Sequence, residues 1–600
     1  MNKNAKRNNR WAINDKVFRD NFIVLALIEL TFVGASLIDG IIVSRFLEKD
    51  AMAAYGIAYP LFSIIAISTG LFATGMMTVT SQELGKGNVE NCNRLFFSAF
   101  YIACIFSVTF AVIIVLCSYP LAGLLGAAKS GENMLRCSSD YIKGLGIGAP
   151  AIMLTGIVSP AIQMDSERKR VLISTILDVI LNIIFDFVAV FLGWGMFGIG
   201  LATALSRYIH LAVLLFHFAG KSHIFHLVPL KIGFREFIHM LSLGTEKAIR
   251  RLGNVIRPVI VNRLVLYYGQ TLAMTAMSVR GSVCEFTEIV AVGLADTVGL
   301  LTGIYFGERS EEAIHRMGKT VHQYCIVLCG AILILLVVFA LPLATFYSKT
   351  NVEAIPYTQF ALIGVAIQCP LQALVRSRIV YLQRVEKTVT MQVLILISSL
   401  LMPVAVAFLL GKFFGAYGVL LCYTVSDFMT LVVIWIYNAF LHRKIIPSSK
   451  DYLQLPEQFE PNPGDLISFD LQSMEDNSLA SEQIGLFCKG HQLENDIANR
   501  ASVCFEEVAE NVIRFGFPMN KSKEPIMDLR VFFMENKLVV RIQDNCPKFD
   551  IAARMSTFSK AERNEGFSGL GMLLINKLAD EVKYAYSFET NTVFLEFNKE

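Results

Sequence analysis

The sequence predicts a polytopic α-helical membrane protein of two pseudo-symmetric six-helix bundles, followed by a C-terminal α+β sandwich. Three observations lead to this prediction: a series of long apolar segments, an internal repeat within that series, and a change to a soluble type of composition after residue 446. Hydrophobic residues make up 54% of the 600 residues and charged residues only 17%. An ordinary soluble protein carries about 25% charged residues.

The apolar segments are long enough to cross a bilayer. A spanning helix needs roughly 20 mostly apolar residues, and a soluble helix of that length would instead show a polar face. About twelve segments meet this length requirement. They lie near residues 22–44, 52–80, 95–123, 139–163, 171–192, 198–219, 236–267, 273–305, 319–346, 353–381, 388–410 and 416–440.

The basic residues predict the orientation of these segments. Lysine and arginine fall in every second connection, for example at 168–170, whereas the connections near Gly193 and Gly269 have almost none. The positive-inside rule places basic connections in the cytoplasm. With an even number of segments, both termini are expected there, including the basic N-terminal residues 1–21, and the chain is expected in the cytoplasmic membrane.

The first six segments match the last six. Gly85 corresponds to Gly307 at an offset that holds over most of each half, and Gly195 corresponds to Gly415 after a slip of two residues. Paired bundles of this kind place a substrate cavity at their interface, near mid-depth. The predicted boundaries are a first bundle at 22–220, a cytoplasmic connector at 221–235 and a second bundle at 236–445.

Several stretches of the first half resemble one transporter family. They are Leu37-Ile-Asp39-Gly-Ile-Ile-Val-Ser-Arg-Phe, Ala51-Met-Ala-Ala-Tyr-Gly-Ile-Ala-Tyr-Pro60, Gly70-Leu-Phe-Ala-Thr-Gly75 and Gly85-Lys-Gly-Asn88. They resemble the first two helices of the multidrug and toxic compound extrusion (MATE) family, and residues 273–316 follow the same layout. The resemblance covers residues 20–440. It implies a two-bundle exporter of small organic molecules that alternates access and is driven by protons or sodium ions.

Asp39 is the candidate for cation coupling. It lies inside the first apolar segment, next to Ile38 and close to Ile41, where an ionised group costs several kcal/mol. Binding a proton or a sodium ion removes that cost, so occupancy can favour one conformation over another. Asp39 also matches the acidic residue that MATE proteins place in the first helix. A carboxylate buried for structural reasons is the alternative.

Other polar groups within the segments are candidates for lining the cavity. Asp178, Asn182 and Asp186 share one face of the fifth segment because they are four residues apart. Glu285 and Glu288 lie three residues apart in the eighth segment. Polar groups at this depth usually face the interior of a bundle, and contacts between neighbouring helices are the alternative role.

The seventh segment departs from the MATE pattern. It opens with Glu246 and Arg250, an i,i+4 pair, and continues with Arg257 and Arg263, whereas MATE proteins usually carry an acidic residue there. Internal ion pairs or a cavity of mixed charge would explain these residues. A mixed cavity would argue against a purely cationic substrate.

The region after the last apolar segment predicts a linker and a soluble domain. The linker at 446–465 carries four prolines, and the domain occupies 466–600. The spacing predicts helices over 495–515 and 569–577, and alternation predicts strands over 527–534, 538–543, 582–586 and 592–597. The two-residue turn at 535–536 predicts a hairpin. Helices on one face of such a sheet make an α+β sandwich.

Three motifs of this domain resemble, in order, those of GHKL ATPases, closest to the anti-sigma-factor serine kinases. They are Glu507-x-x-x-Asn511, Asp544-Asn-Cys-Pro-Lys-Phe549-Asp550 and Ser568-Gly569-Leu-Gly571. Two positions depart from the family pattern. Cys546 replaces a glycine, and the histidine common after the asparagine helix is absent, with Phe515 near its place. A degenerate scaffold that binds no nucleotide is the alternative.

The resemblance implies a role for each motif in binding ATP with Mg²⁺. Asn511 is expected to coordinate Mg²⁺, and Glu507 to be the catalytic residue that orients water or activates a hydroxyl. Asp544 is expected to accept a hydrogen bond from the adenine amino group. Gly569 and Gly571, which precede a helix, let backbone N–H groups approach the phosphates.

Some classes of protein are excluded, and three functions stay open. The segment 220–222 resembles a P-loop only superficially, because the glycine required five residues earlier is Leu215. The chain is therefore not an ATP-driven pump of the ABC kind. The net charge of +3 without a basic stripe argues against a nucleic-acid partner.

The first open function is an exporter whose ATP-binding domain regulates it or phosphorylates a protein partner. The second is a membrane sensor with a serine-kinase-like output, and the third is a flippase for lipid-linked intermediates. The chain is expected to be a transporter rather than an enzyme, with kinase-like or ATPase activity left open for the C-terminal domain.

Overall fold

A computed structural model describes residues 3–47, 51–220, 224–348, 352–456, 459–520, 525–534, 536–549 and 570–599. Within these residues, eleven helices are long and apolar enough to cross a membrane. This confirms the predicted multi-pass helical membrane protein. A five-stranded sheet with its own helices follows at the C-terminal end.

The first half consists of long apolar helices joined by short connections. The connections turn at residues with positive φ, such as Gly126 and Gly193, where glycine carries no steric penalty. The helices are α1 (Lys3–Phe46), α2 (Ala51–Gly85), α3 (Val89–Leu116), α4 (Ser118–Leu124), α5 (Glu132–Met164), α6 (Arg168–Phe191) and α7 (Gly195–Leu215).

The second half repeats this arrangement. Its helices are α8 (Phe234–Leu243), α9 (Thr245–Gly307), α10 (Glu311–Tyr324), α11 (Gly330–Tyr347), α12 (Ile355–Arg384), α13 (Thr388–Leu396), α14 (Met402–Leu420) and α15 (Cys422–His442). A π turn at Cys325–Cys329 joins α10 to α11, and another at Ile397–Leu401 joins α13 to α14. Each joined pair therefore crosses the membrane once.

Helix α9 accounts for two of the predicted segments. It has 63 residues and a length of about 95 Å, whereas the apolar core of a bilayer is about 30 Å thick. Its backbone leaves helical geometry at Gln270, where φ is 50° and ψ is −146°. The seventh and eighth segments lie on either side of this break, which gives twelve crossings in the described residues.

The prediction is wrong at the start of the seventh segment, near residue 236. Residues Phe234–Leu243 form the separate helix α8. The chain then passes Gly244, where an added Cβ would collide with the backbone of Leu71. Helix α2 therefore packs closely against the residue that separates α8 from α9.

The predicted repeat is also a repeat of the backbone. Gly87 and Arg309, which share the offset of Gly85 and Gly307, both have positive φ, at 73° and 51°. Gly195 and Gly415, which match after the slip of two residues, have φ of 55° and 58°. The two bundles are therefore pseudo-symmetric in their connections as well as in their helices.

The C-terminal domain is the predicted α+β sandwich. Its elements are β1 (Leu466–Leu471), α16 (Met474–Gly490), α17 (Asn495–Asn511), α18 (Phe517–Met519), β2 (Met527–Met534), β3 (Lys537–Asp544), α19 (Leu570–Leu578), β4 (Glu581–Ser587) and β5 (Thr590–Asn598). The sheet has the order β1-β2-β3-β5-β4, and all neighbouring strands are antiparallel. The predicted β2–β3 hairpin is confirmed, whereas β1 and α16 were not predicted.

The helices cover one face of this sheet. Leu529 and Val540 of the sheet share a buried core with Ile484 of α16, Phe505 of α17 and Ile575 of α19. Alternation along the strands turns their other residues to the opposite face. That face packs against the membrane helices.

Candidate functional site

Two carboxylates approach each other inside the first bundle. Asp39 of α1 and Asp186 of α6 lie close enough to share a hydrogen bond when one of them is protonated. Asp186 is fully buried, and neither of its oxygens accepts a hydrogen bond from a described donor. These two residues, termed the acidic pair, therefore have unused capacity to bind a proton or a cation.

The other candidates on α6 lie on the same face. Asp178 Oδ2 lies 2.9 Å from Arg207 Nη1 and 3.6 Å from His210 Nδ1, both on α7. Asn182 is buried between Asp178 and Asp186, and its Nδ2 has no partner among the described residues. The structure brings the first-bundle candidates into one polar site. It also adds Arg207 and His210, which sequence reasoning missed.

The two candidate glutamates of the second bundle have different surroundings. Glu288 of α9 accepts hydrogen bonds from Gln372 Nε2 at 2.8 Å and Arg376 Nη2 at 3.4 Å, both on α12. Glu285 is exposed, as is Ser282 on the same helix. An exposed glutamate and serine suit a water-filled space better than lipid. Glu288 is thus held in an ion pair that Glu285 does not join.

The first nucleotide motif lies on α17 with its two side chains one turn apart. Asn511 Nδ2 donates to the main-chain oxygen of Glu507 at 2.7 Å, which leaves Asn511 Oδ1 without a partner among the described residues. Burial raises the pKa of Glu507, and the neighbouring Glu510 adds to that rise. Gly571 lies against Glu507, because an added Cβ would collide with its carboxylate. Gly569 lies outside the described residues.

The second nucleotide motif lies at the end of β3. Asp544 Oδ1 accepts hydrogen bonds from Asn591 Nδ2 and from the backbone N–H of Cys546, both at 2.8 Å. Burial raises the pKa of Asp544, and the bond from Asn591 opposes that rise. A Cβ at Gly516 would lie 3.0 Å from Cys546 Sγ, so the sulfur that replaces the family's glycine packs against the end of the asparagine helix.

These residues fit ATP with Mg²⁺. Asp544 is a buried acceptor for an amino group, and the absence of a side chain at Gly571 leaves room for the Glu507 carboxylate beside the start of α19. Asn511 offers an amide oxygen, which suits a hard cation. No group of three or more His, Cys, Asp or Glu side chains in the described part of the chain is arranged to hold a metal. Mg²⁺ bound with a nucleotide needs only one or two protein oxygens besides the phosphates.

The face of the sheet opposite its helices, termed the docking face, contacts both bundles. Arg541 Nη1 of β3 donates to Glu308 Oε2, just after α9, at 2.7 Å. In the β4–β5 turn, the backbone N–H of Glu589 donates to Ser166 Oγ at 2.9 Å, and its carboxylate lies 3.2 Å from Arg168. The end of the membrane helices that makes these contacts is termed the domain side.

The two bundles also contact each other at the domain side. A Cβ on Gly85 of α2 would lie 3.0 Å from Gly307 Cα of α9. Gln82 Nε2 donates to the main-chain oxygen of Arg384 at 2.9 Å, and Arg384 Nη1 donates to that of Thr74 at 3.1 Å. These contacts close the space between the bundles on this side.

Two family profiles match separate parts of the chain. The MatE profile matches residues 25–188, which include the acidic pair. The profile of the histidine kinase-like ATPase domain matches residues 478–597, which include all three nucleotide motifs. Each profile therefore covers one of the two candidate sites.

Two bacterial proteins are similar to the membrane part. The chain is 22% identical over 308 residues to the probable multidrug resistance protein YoeA of Bacillus subtilis, covering 50% of this chain and 66% of YoeA. It is 23% identical over 265 residues to the multidrug export protein MepA of Staphylococcus saprophyticus, covering 42% of this chain and 55% of MepA. The chain thus spans between half and two-thirds of the length of these relatives.

The membrane part also superposes on solved structures. One is described as the outward-facing conformation of a multidrug resistance MATE family transporter of the MOP superfamily. It matches with a TM-score of 0.66 and 18% identity, over 70% of this chain and 94% of that chain. At this identity the likeness shows the fold alone. The chain therefore joins a MatE domain to a C-terminal histidine kinase-like ATPase domain, and its membrane part has the fold of the MATE transporters.

Proposed function

We propose that this protein is a cation-coupled antiporter that exports small organic molecules across the cytoplasmic membrane. The acidic pair carries this proposal. Two ionised carboxylates this close repel each other, and both lose hydration within the membrane. A proton or a sodium ion bound between Asp39 and Asp186 therefore stabilises the site, and occupancy shifts the balance between conformations.

In this proposal the domain side faces the cytoplasm. The basic connections lie there, as the positive-inside rule requires, and ATP is available there. The contact between Gly85 and Gly307 closes this side, so substrate entry from the cytoplasm requires the bundles to separate at these two helix ends.

The C-terminal domain binds ATP with Mg²⁺ and regulates the membrane part. Its docking face is bonded to Glu308 beside the second bundle, and the β4–β5 turn of the same sheet is bonded to Ser166 in the first. A rigid sheet attached to both bundles opposes their separation on that side. Nucleotide binding at Asp544 and Asn511, on the same small domain, would alter this attachment without powering transport.

Gradient-driven flux tests the exporter. Full-length protein in liposomes should accumulate or expel an organic dye when a proton or sodium gradient is imposed. Asp39→Asn should abolish the response to the gradient, whereas Asp140→Asn, at a half-exposed surface position near Lys143, should not. An unchanged response in Asp39→Asn would remove the coupling role.

A membrane sensor with a serine-kinase-like output is the second candidate, and the docking face favours it. A ligand that moved either bundle would pull on the C-terminal domain through Glu308 or Ser166. The discriminating experiment incubates full-length protein with labelled ATP and candidate protein partners. Ligand-dependent phosphorylation without gradient-driven flux would establish the sensor, and flux without phosphorylation would establish the exporter.

A further inference from the structure

We propose that the second bundle holds the anionic group of the transported molecule, at a site formed by Arg257, Arg280 and Tyr423, termed the arginine site. That the bound molecule is transported rests on the proposed function. The binding site itself rests on the geometry and charge of the second bundle.

Two guanidinium groups lie against one tyrosine ring. The Cζ atoms of Arg257 and Arg280 lie 4.7 Å and 4.2 Å from the centroid of Tyr423. Arg280 is 5% exposed and donates to the side-chain oxygen of Gln368. In the described residues, neither arginine has a carboxylate within ion-pair distance, and the buried Nε atom of each has no hydrogen-bond partner. Both charges are therefore incompletely paired within the membrane.

Two other buried or partly buried carboxylates of this bundle, Glu246 and Glu288, are already paired. Glu246 Oε1 accepts a hydrogen bond from Arg250 Nε at 2.8 Å, and Glu288 Oε2 lies 3.4 Å from Arg376 Nη2. Each of these acids has its own arginine. Neither is free to neutralise the arginine site.

Asp427 neutralises only part of the charge. It accepts a hydrogen bond from Gln368 Nε2 at 2.9 Å, so it reaches Arg280 only through the amide of that glutamine. Two guanidiniums and one carboxylate leave an excess of one positive charge. An uncompensated charge at this depth is costly, and an anionic ligand would remove that cost.

The two bundles reverse their charges at a position related by the repeat. Arg207 of α7 and Asp427 of α15 share the offset of Gly195 and Gly415. Arg207 lies beside Asp178 in a bundle rich in buried carboxylates, whereas Asp427 lies among arginines. The first bundle therefore suits a cation and the second suits an anion.

The side chains define the class of ligand. Guanidinium groups bind the paired oxygens of carboxylate, sulfonate or phosphate in a forked geometry. Arg257 is only partly buried, so a ligand can reach its guanidinium, while the buried ring of Tyr423 holds both guanidiniums in place. The arginine site thus fits an organic molecule that carries an oxyanion.

Two dyes with the same ring system and opposite charge test this class. Full-length protein in lipid nanodiscs is titrated with fluorescein, an anionic xanthene, and with a cationic rhodamine methyl ester, and binding is followed by fluorescence anisotropy without any ion gradient. Fluorescein should bind saturably. Arg257→Gln and Arg280→Gln should each weaken it by about tenfold or more, and neither should weaken binding of the rhodamine ester.

A variant that should strengthen fluorescein binding controls for misfolding. Asp427→Asn keeps an acceptor for Gln368 but removes the negative charge, so it should strengthen fluorescein binding. Fluorescein binding that is unsaturable, or unchanged in both arginine variants, overturns the proposal, as does weaker binding in Asp427→Asn. Loss of gradient-driven flux with charge-selective dye binding intact would overturn the exporter and leave the arginine site standing.

Discussion

Arg541 Nη1 on the sheet of the C-terminal domain lies 2.7 Å from Glu308 Oε2 at the end of α9, and both side chains are almost fully buried. Burial raises the pKa of Glu308, and the neighbouring Arg541 opposes that rise. Arg541 also donates to Asp528 of its own sheet at 3.0 Å. A buried charge cluster at the joint between two domains is compensated only while the domains are docked.

Arg541→Met should undock the C-terminal domain from the second bundle. The substitution leaves Glu308 buried without the guanidinium of Arg541, which costs roughly 3–5 kcal/mol. Undocking avoids that cost by exposing the Glu308 carboxylate to water. Limited proteolysis of full-length protein should show faster cleavage in the linker between α15 and β1.

The control is an arginine of the same domain outside the docking face. Arg514 is 61% exposed and pairs with Glu510 at 2.7 Å, so Arg514→Met should leave the cleavage rate unchanged. Adding Glu308→Gln to Arg541→Met should restore part of the protection, because one unpaired charge is removed. Equal cleavage of wild type and Arg541→Met would show that the pair does not hold the domain.

Gly85→Ala should separate the bundles at the domain side. An added Cβ would collide with the main-chain oxygen of Ile304 and lie 3.0 Å from Gly307 Cα, and backbone atoms cannot give way as a flexible side chain can. Hydrogen–deuterium exchange should become faster at the adjoining ends of α2 and α9. Gly318→Ala, where an added Cβ meets nothing within 4 Å, should change nothing. Equal exchange in both variants would contradict closure through this contact.

The sequence predicts the membrane helices and the hairpin because local rules govern them. Lipid requires apolar runs of a fixed length, and the alternation on either side of Asn536 defines β2 and β3. The break between α8 and α9 could not be predicted in this way. It lies at Gly244, where α2 packs closely, and this is a contact between distant parts of the chain.

The candidate sites show the same difference between what local sequence predicts and what depends on contacts between distant residues. Asp39 and Asp186 are visible in the sequence because charges within apolar segments are rare. Asp427 is equally visible in its segment, but its significance depends on Gln368 and Arg280, which only folding brings to it. The docking face has no sequence signal either, since an alternating strand does not show what covers its polar face.

Gly571→Ala should weaken binding of ATP with Mg²⁺. Alanine normally stabilises a helix over glycine by about 1 kcal/mol, but here the new Cβ would collide with the Glu507 carboxylate. Titration of full-length protein with a fluorescent ATP analogue should show affinity lower by about tenfold. Gly485→Ala on α16, in open space, is the matched control. Equal affinity in the two variants would place the phosphates elsewhere.

Nucleotide binding should weaken on acidification through Asp544. Burial raises the pKa of this carboxyl above its ordinary value, so it becomes protonated at a pH where an exposed aspartate is still ionised. A protonated Asp544 is a poorer acceptor for the adenine amino group. Affinity should therefore be full above the raised pKa and fall as the pH drops through it.

The same shift has the opposite effect on stability. A carboxyl whose pKa is raised by folding binds its proton more tightly in the folded state, so the free energy of unfolding rises as the pH falls through that range.

Asp544→Asn should bind ATP weakly at neutral pH and lose the pH dependence of affinity, as measured by titration from about pH 7.5 to about pH 5. An equal decline in wild type and Asp544→Asn would assign the pH dependence to another group.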